Sequence, residues 1–311
     1  MGWQEINIRK YIEQLKISLN LKNHEDILEK DLLLTIILAE FEKAGLGKDL
    51  IFKGGTLLSR NYLKYHRFSE DLDFVYKESN SIRNLPRHAR ERKVKAFLDY
   101  FVPELKKVAE TLGLEFSTDR SNKKYCRMLS GRTVYIFKIY YSDIKFIKVE
   151  INFVEKLINE PEKVSVKAIT DFFDSRDLLF TLGLDIKSFK VQSYSLKEII
   201  LEKYRAILTR KNLQERDLFD LSLIKDSLNV NIKEVVDKIK SSSLIKKDLV
   251  KLISEKLNLL QQDKFFKSEE DIASLVIVQY NPDSFEDFKR KIKPIIIDIC
   301  INFLEADKRE K

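Results

Sequence analysis

Two aspartates one residue apart, Asp71 and Asp73 in the run DLDFVY, follow a pair of glycines, Gly54 and Gly55, in DLIFKGGTLLSR. On a β-strand the side chains at i and i+2 share one face, so the two carboxylates repel each other unless a cation lies between them. Mg2+ or Mn2+ suits that position, because hard divalent cations take carboxylate oxygens together with phosphate oxygens of a substrate. The glycines suit the same substrate. Lacking Cβ, they let the backbone approach a ligand closely, and the start of the following helix offers N–H groups and a positive dipole end to phosphate. Thr56 adds a hydroxyl there. A glycine pair alone is an ordinary turn, and an Asp-x-Asp pair alone is an ordinary solvated strand face. Both together, in this order and within about 20 residues, point to metal-assisted chemistry on a nucleotide. A third carboxylate, Glu150 in FIKVEINF, shares a strand face with Lys148 and Asn152. It is either a further metal ligand or a plain polar-face glutamate.

Further along, two helices aim charge into their apolar faces. In SLKEIILEKYRAILTR, Ser195 followed three residues later by Glu198 forms a capping-box pattern. At 100° per residue, Leu196, Ile199, Ile200 and Ile207 make one stripe. Lys203 and Arg210 fall inside it, while Glu198, Glu202 and Arg205 fall outside. In RDLFDLSLIKDSL, Leu221, Ile224 and Leu228 make the stripe, with Asp217 at its centre and Asp220 at its edge. Unpaired charge is too costly to bury. Either these groups form a structural ion-pair network or the helices wall a polar cleft. With the carboxylates upstream, the cleft is the favoured reading.

The elements that must position these groups divide by type. NHEDILEKDLLLTIILAEFEKAGLG reads as a helix capped by Asn23 and ended by Gly45. DLIFK and DLDFVY read as strands with a helical TLLSRNYL between them. Residues 85–113 read as a long helix that Pro103 interrupts. LEFSTD, TVYIFKIYY and FIKVEINF read as strands. Beyond about residue 193 helices dominate, with SLVIVQY (274–280) the one candidate strand. The fold class is α+β: a mixed sheet flanked by helices over residues 1–190, and a helical domain over 191–311 that contributes to the nucleotide cleft. The helices from Ser241 onward carry no recognisable chemistry, and the basic run KRKIK (289–293) reads as surface.

Composition narrows the class. Cys126 and Cys300 stand far apart without metal-type spacing, and the three histidines offer no zinc pattern. No run approaches the roughly 18 apolar residues of a membrane span, no basic-then-apolar leader is present, and Ile6 spoils a myristoylation signal. The chain is expected to be soluble and cytoplasmic. Its net charge of +8 is concentrated in residues 77–148, which hold 17 Lys and Arg against 8 Asp and Glu. Such a surface suits a phosphate backbone, although a solvated helix face has the same composition.

The run FKGGTLLSR…RFSEDLDF resembles the first signature of the minimal nucleotidyltransferases related to DNA polymerase β, and within them the AbiEii branch, the toxins of type IV toxin–antitoxin (abortive infection) systems. EKYRAILTRKNLQERDLFDLSLI resembles the second signature of that branch, a lysine-bearing helix followed by Arg-Asp-x-x-Asp. The resemblance implies that Gly54, Gly55 and Thr56 hold nucleotide phosphates and that Asp71 and Asp73 bind metal. Glu150 would be the third carboxylate, where many members have aspartate. Lys53, Arg67 and Ser69 fall inside the first signature and would line the site. Lys203 and Arg210 would reach phosphate, and Asp217 would orient Lys203 or act in catalysis.

The expected reaction is transfer of a nucleoside monophosphate from an NTP to an acceptor hydroxyl, with pyrophosphate leaving and the protein supplying mostly positioning and electrostatics. The resemblance makes the 3′ end of a tRNA one acceptor and implies a cognate antitoxin, which need not touch the toxin. A protein hydroxyl as acceptor, and a nucleotide- or RNA-binding protein without turnover, are the competing readings.

Overall fold

The computed structural model describes residues 12–13, 17, 25–167, 189–242, 246–267, 272–277 and 280–309. Asn23, the expected first cap, lies outside them. The chain divides into two compact units: Met1–Glu155 with Pro161–Tyr194, and Lys156–Glu160 with Ser195–Lys311.

The first unit is built on a mixed sheet of seven strands in the order β3-β4-β5-β2-β1-β7-β6. The strands are β1 (Leu50–Lys53), β2 (Asp71–Tyr76), β3 (Cys126–Leu129), β4 (Val134–Tyr140), β5 (Phe146–Asn152), β6 (Glu162–Ser165) and β7 (Lys190–Ser193). β1 runs antiparallel to β2, and β2 runs parallel to β5. Around the sheet lie α1 (Glu25–Lys43), the short α2 (Gly54–Leu57), α3 (Ser79–Arg83) and α4 (Arg87–Thr111). α1 ends ahead of Gly45, whose φ of 69° is glycine-favoured, as expected. α2 continues into a π-helical turn, Leu58–Tyr62.

The alternation of β5 sorts its residues cleanly: Ile147, Val149 and Ile151 are buried, while Lys148, Glu150 and Asn152 are half-buried. The apolar face of the sheet meets α1 and α4 through a cluster of rings. Phe41 of α1 stands 6.0 Å from Phe74 and from Phe101 of α4, and Phe101 stands 5.7 Å from Phe137. Burial of each such ring contributes about 1.5–3 kcal/mol, which fixes the sheet with its polar face turned away from these helices.

Several expectations need correction. Pro103 lies inside α4 without ending it. The N–H it lacks would have bonded to Asp99, an exposed position, and buried Phe101, Val102 and Leu105 hold the helix on the sheet. LEFSTD makes only an isolated bridge, Glu115 with Tyr140. β3, β6 and β7 were not expected. β3 and β6 are short and mostly exposed, so they carry no apolar alternation. Of SLVIVQY, residue 274 ends a 3-10 turn (Ile272–Ser274), and residues 278–279 lie outside the described residues.

The second unit contains α5 (Leu196–Thr209), α6 (Glu215–Ser222), α7 (Ile232–Lys240), α8 (Lys246–Gln261) and α9 (Pro282–Arg309). Ser195 caps α5 by accepting from the Glu198 N–H, as the sequence pattern requires. Glu198 itself was placed outside the apolar stripe but is fully buried. Its carboxylate accepts from the Asn159 N–H at 2.8 Å and pairs with Lys238 at 2.7 Å, and Lys238 also donates to the Lys156 carbonyl at 2.7 Å. Thus five residues lying between sheet strands in sequence complete a buried charge network among the helices. α6 stops at Ser222, short of the expected stripe residues Ile224 and Leu228. Lys289, expected at the surface, is buried against Glu215 and Glu286. Among the described residues no helix is long and apolar enough to cross a membrane.

Candidate active site

β1 delivers the chain to Gly54, where φ reaches 84°. A Cβ at Gly54 would lie 2.5 Å from Asp73 Oδ2, and one at Gly55 would lie 2.7 Å from Arg67 Nη2 and 3.1 Å from Ser69 Oγ. Both glycines therefore make room for residues of the same signature. At Gly54 the backbone conformation also requires glycine. The Thr56 hydroxyl donates to the Asp71 carbonyl at 2.6 Å and lies 2.9 Å from Ser69 Oγ. These hydroxyls tie the helical turn to the start of β2, so they act here as positioning groups. Arg67 is buried and donates from Nη1 to the Phe68 carbonyl at 2.8 Å.

The register sets the carboxylates side by side. β2 aligns Asp71 with Lys148 and Asp73 with Glu150 on β5. The Lys148 ammonium lies 2.8 Å from Asp71 Oδ2 and 3.6 Å from Glu150 Oε2. Asp73 has its pKa pushed up to about 6. Burial is the main cause and the Glu150 and Asp71 charges add to it, against the opposing pull of Lys148 and Lys53. Lys53, opposite Asp73 on β1, is buried and pairs with Glu155 at 2.6 Å.

Sequence reasoning missed four participants here. Lys148 was seen only as part of a polar face, yet it is the cation of the carboxylate cluster. Glu155 follows β5 with no pattern to mark it. Asp31 and Arg60 form a buried pair at 2.9 Å, completed by the Tyr65 hydroxyl at 2.9 Å from Asp31 Oδ2 and by Thr35 Oγ1 at 2.7 Å from Arg60 Nη1. Burial raises the pKa of Asp31 while Arg60 and Tyr65 lower it. This network anchors the turn leading into Arg67 and Ser69. An aspartate four residues ahead of Thr35 inside an apolar helix was its only sequence signal.

In the helical unit, Lys203 is buried between Asp217 at 2.8 Å and Asp220, and Arg210 pairs with Asp217. The structure brings together the four residues that helical geometry singled out. Asp220, expected at the stripe's edge, is fully buried, and the Arg210 side chain is 43% exposed at the end of α5 rather than sunk in its apolar face.

The basic stretch 77–148 is split by the sheet. On the helix-covered face, α4 and β3–β4 enclose a cavity of about 740 Å³ lined by His88, Arg92, Lys95, Arg120 and Arg132, with Tyr135 at its floor. Several cations of the stretch carry partners: Arg87 with Glu91, Lys93 with Glu78, and Arg120 with Asp99. On the carboxylate face stand Arg127, Lys138 and Lys148, by the strand registers.

The donor set around Asp71 and Asp73 fits a hard divalent cation. The oxygens are of the right kind, and the Asp73 carboxylate, whose pKa is raised first by burial and then by the Glu150 charge, would be favoured in its charged form by a cation beside it. Among the described residues no three ligating groups are gathered closely enough to hold a metal by themselves. Asp71, Asp73 and Glu150, expected together as metal ligands, are therefore not gathered into a three-ligand group.

A family model described as nucleotidyl transferase AbiEii toxin, type IV TA system, matches residues 36–295. No curated protein matches the sequence at a significant level. The fold is similar to that of MenT4, a nucleotidyltransferase toxin from Mycobacterium tuberculosis H37Rv, with a TM-score of 0.50, 15% identity, and coverage of 94% of this chain and 89% of that one.

Proposed function

Because the chain belongs to the AbiEii family of nucleotidyltransferase toxins of type IV toxin–antitoxin systems, we propose that it moves a nucleoside monophosphate from an NTP to a hydroxyl of RNA, the 3′ end of a tRNA. The observation that carries this reading is the register of Asp73 with Glu150 beside Asp71, next to a Gly54 where any Cβ would run into the Asp73 carboxylate. Asp71 and Asp73, with Glu150 nearby, would hold Mg2+ or Mn2+. When bound, such an ion neutralises phosphate charge and lowers the pKa of an acceptor hydroxyl.

The chain's own groups do the rest. The N–H groups at Gly54 and Gly55 receive the triphosphate, and Thr56 and Ser69 hold that turn against β2. Arg67, whose guanidinium lies against Gly55, sets the turn's outer wall. Lys53 offsets the charge of Asp73 across the β1–β2 pair. Within the helical unit, Asp217 and Asp220 fix the Lys203 ammonium and Arg210 pairs with Asp217. The positive balance of residues 77–148 suits an RNA acceptor, and transfer to tRNA in the cytoplasm would block translation, a toxic outcome that a cognate antitoxin would counter.

The test is transfer of label from each α-³²P-NTP with Mg2+ to total RNA and total protein, comparing wild type with an Asp71→Ala/Asp73→Ala variant. Label on small RNA from the wild type alone supports the reading and names the nucleotide. Label on protein alone moves the acceptor to a protein hydroxyl. No label from a folded, nucleotide-binding chain refutes transfer.

A further inference from the structure

The carboxylate face of the sheet does not end at Glu150. Through the strand registers, Asp73, Glu150, Ile136 and Arg127 form one row across β2, β5, β4 and β3, and Asp71, Lys148 and Lys138 form the row beside it. Strands are about 4.8 Å apart. Arg127 therefore stands about 10 Å beyond Glu150, and Lys138 about 10 Å beyond Asp71, on the same side of the sheet.

Among the described residues neither Arg127 nor Lys138 has a carboxylate within ion-pair distance, whereas Arg120, nearby in sequence, is paired with Asp99. They are also close enough to affect each other: burial and the Arg127 charge lower the pKa of Lys138. Two uncompensated positive charges placed to repel one another are a cost to the fold, which an anion lying over both would relieve. The surface around them is suited to more than a bare anion. Lys138 Nζ lies 4.1 Å from the centre of the Phe146 ring, Ile136 is half-buried, and Leu129 on the same face is 47% exposed. Positive groups over aromatic and apolar surface are the combination that tracks a single nucleic-acid strand.

Phosphate here has two sources, the triphosphate of the NTP and the backbone of the acceptor. The order of the sheet separates them. The glycine turn leaves β1, on one flank of the Asp71–Asp73 strand, whereas β5, β4 and β3 lie on the other. We infer that Arg127 and Lys138 form the acceptor subsite: they hold phosphodiester groups of an RNA strand that crosses β3 and β4 and presents its terminal hydroxyl at Asp73 and Glu150. This rests on the RNA-acceptor reading above and assigns its entry path.

The experiment uses the full chain and compares wild type, Arg127→Gln/Lys138→Gln, and Arg92→Gln/Lys95→Gln, which removes equal charge from the opposite face. Binding of 5′-fluorescein-labelled bulk tRNA is measured across a salt series, together with KM for NTP, and melting curves confirm folding. The Arg127/Lys138 variant should bind at least about tenfold more weakly, and its slope of log K against log salt should be shallower by about 1.4, two contacts at about 0.7 each. Its KM for NTP should stay within about twofold of wild type, and the Arg92/Lys95 variant should keep the wild-type slope.

An unchanged slope in the Arg127/Lys138 variant, with wild type still labelling RNA, overturns the subsite and leaves the RNA reading standing. A raised KM for NTP with unchanged tRNA binding overturns it in favour of a triphosphate site. A slope change confined to the Arg92/Lys95 variant overturns it in favour of the opposite face. If wild type labels protein and no RNA, the acceptor reading itself has failed.

Discussion

Gly54→Ala adds one methyl group at a residue whose φ is 84°, and that methyl would lie 2.5 Å from Asp73 Oδ2 and 3.1 Å from Asp73 Cβ. Two costs follow. An L-residue in the left-handed region costs about 1–2 kcal/mol, partly offset by about 0.4–1 kcal/mol because alanine restricts the unfolded chain. Ordinary contact begins near 3.4 Å, so the Asp73 carboxylate must also retreat by nearly 1 Å. Leaving its rotamer costs about 0.5–1.5 kcal/mol. The net destabilisation is about 1–3 kcal/mol, a fall in Tm of roughly 3–10 °C for a unit of this size.

The rate should suffer far more, since a displacement of about 1 Å at a reacting centre costs on the order of 10²-fold. Label transfer at saturating NTP and a melting curve on the same preparation measure both effects. Gly55→Ala is the internal comparison. Its Cβ meets the far end of the Arg67 side chain and the Ser69 hydroxyl, with no positive φ to violate, so its loss of rate should be about tenfold smaller. A Gly54→Ala variant that is less stable by the expected amount, yet transfers within about threefold of wild type, would refute the claim that Asp73 must sit where it does.

Three further outcomes are expected. Because the folded-state pKa of Asp73 is raised to about 6 from the ordinary 3.8, the folded chain holds an extra proton between those values, so Asp73 lowers stability as pH rises through that window. Asp73→Asn should match wild type near pH 4 and exceed it in Tm by pH 7, and a difference constant with pH would exclude this. Lys203→Met takes the buried ammonium away from Asp217 and Asp220 and should cost about 3–5 kcal/mol, with Lys203→Met/Asp220→Asn recovering about half. Denaturant melts decide whether the second substitution rescues. EDTA should abolish label transfer while moving Tm by less than about 1 °C, because no three ligating groups among the described residues are gathered into a site that the fold depends on.

What could be read from the sequence was local. Asp71 and Asp73 share a face because alternation on one strand is a property of that strand alone. The Gly54 turn, the Ser195 cap and the buried Lys203 and Asp217 were legible for the same reason. What was hidden depends on pairing between distant segments. Nothing in FIKVEINF says that Lys148 aligns with Asp71 and Glu150 with Asp73; that register belongs to two strands at once. Glu198 looked solvent-facing because a helical wheel knows nothing of Lys156–Glu160 or of Lys238. Pro103 looked like a break because its missing bond is visible in sequence and the rings that hold its helix are not. Lys289 read as surface because Glu215, its partner, is 74 residues away.

The five residues Lys156–Glu160 also bear on how such a chain can be inherited. They sit between β5 and β6 in the gene but belong to the helical unit, so the polypeptide crosses from one unit to the other three times. A recombination breakpoint near codon 190 would hand a new partner the helices without the Asn159 amide and the Lys156 carbonyl that complete the Glu198–Lys238 pair. No single crossover transplants the helical unit by itself: one placed early enough to carry Lys156–Glu160 also carries β6 and β7. The two halves are expected to travel through evolution as one heritable block, and chimaeras joined at that point should fail in their helices before they fail in their chemistry.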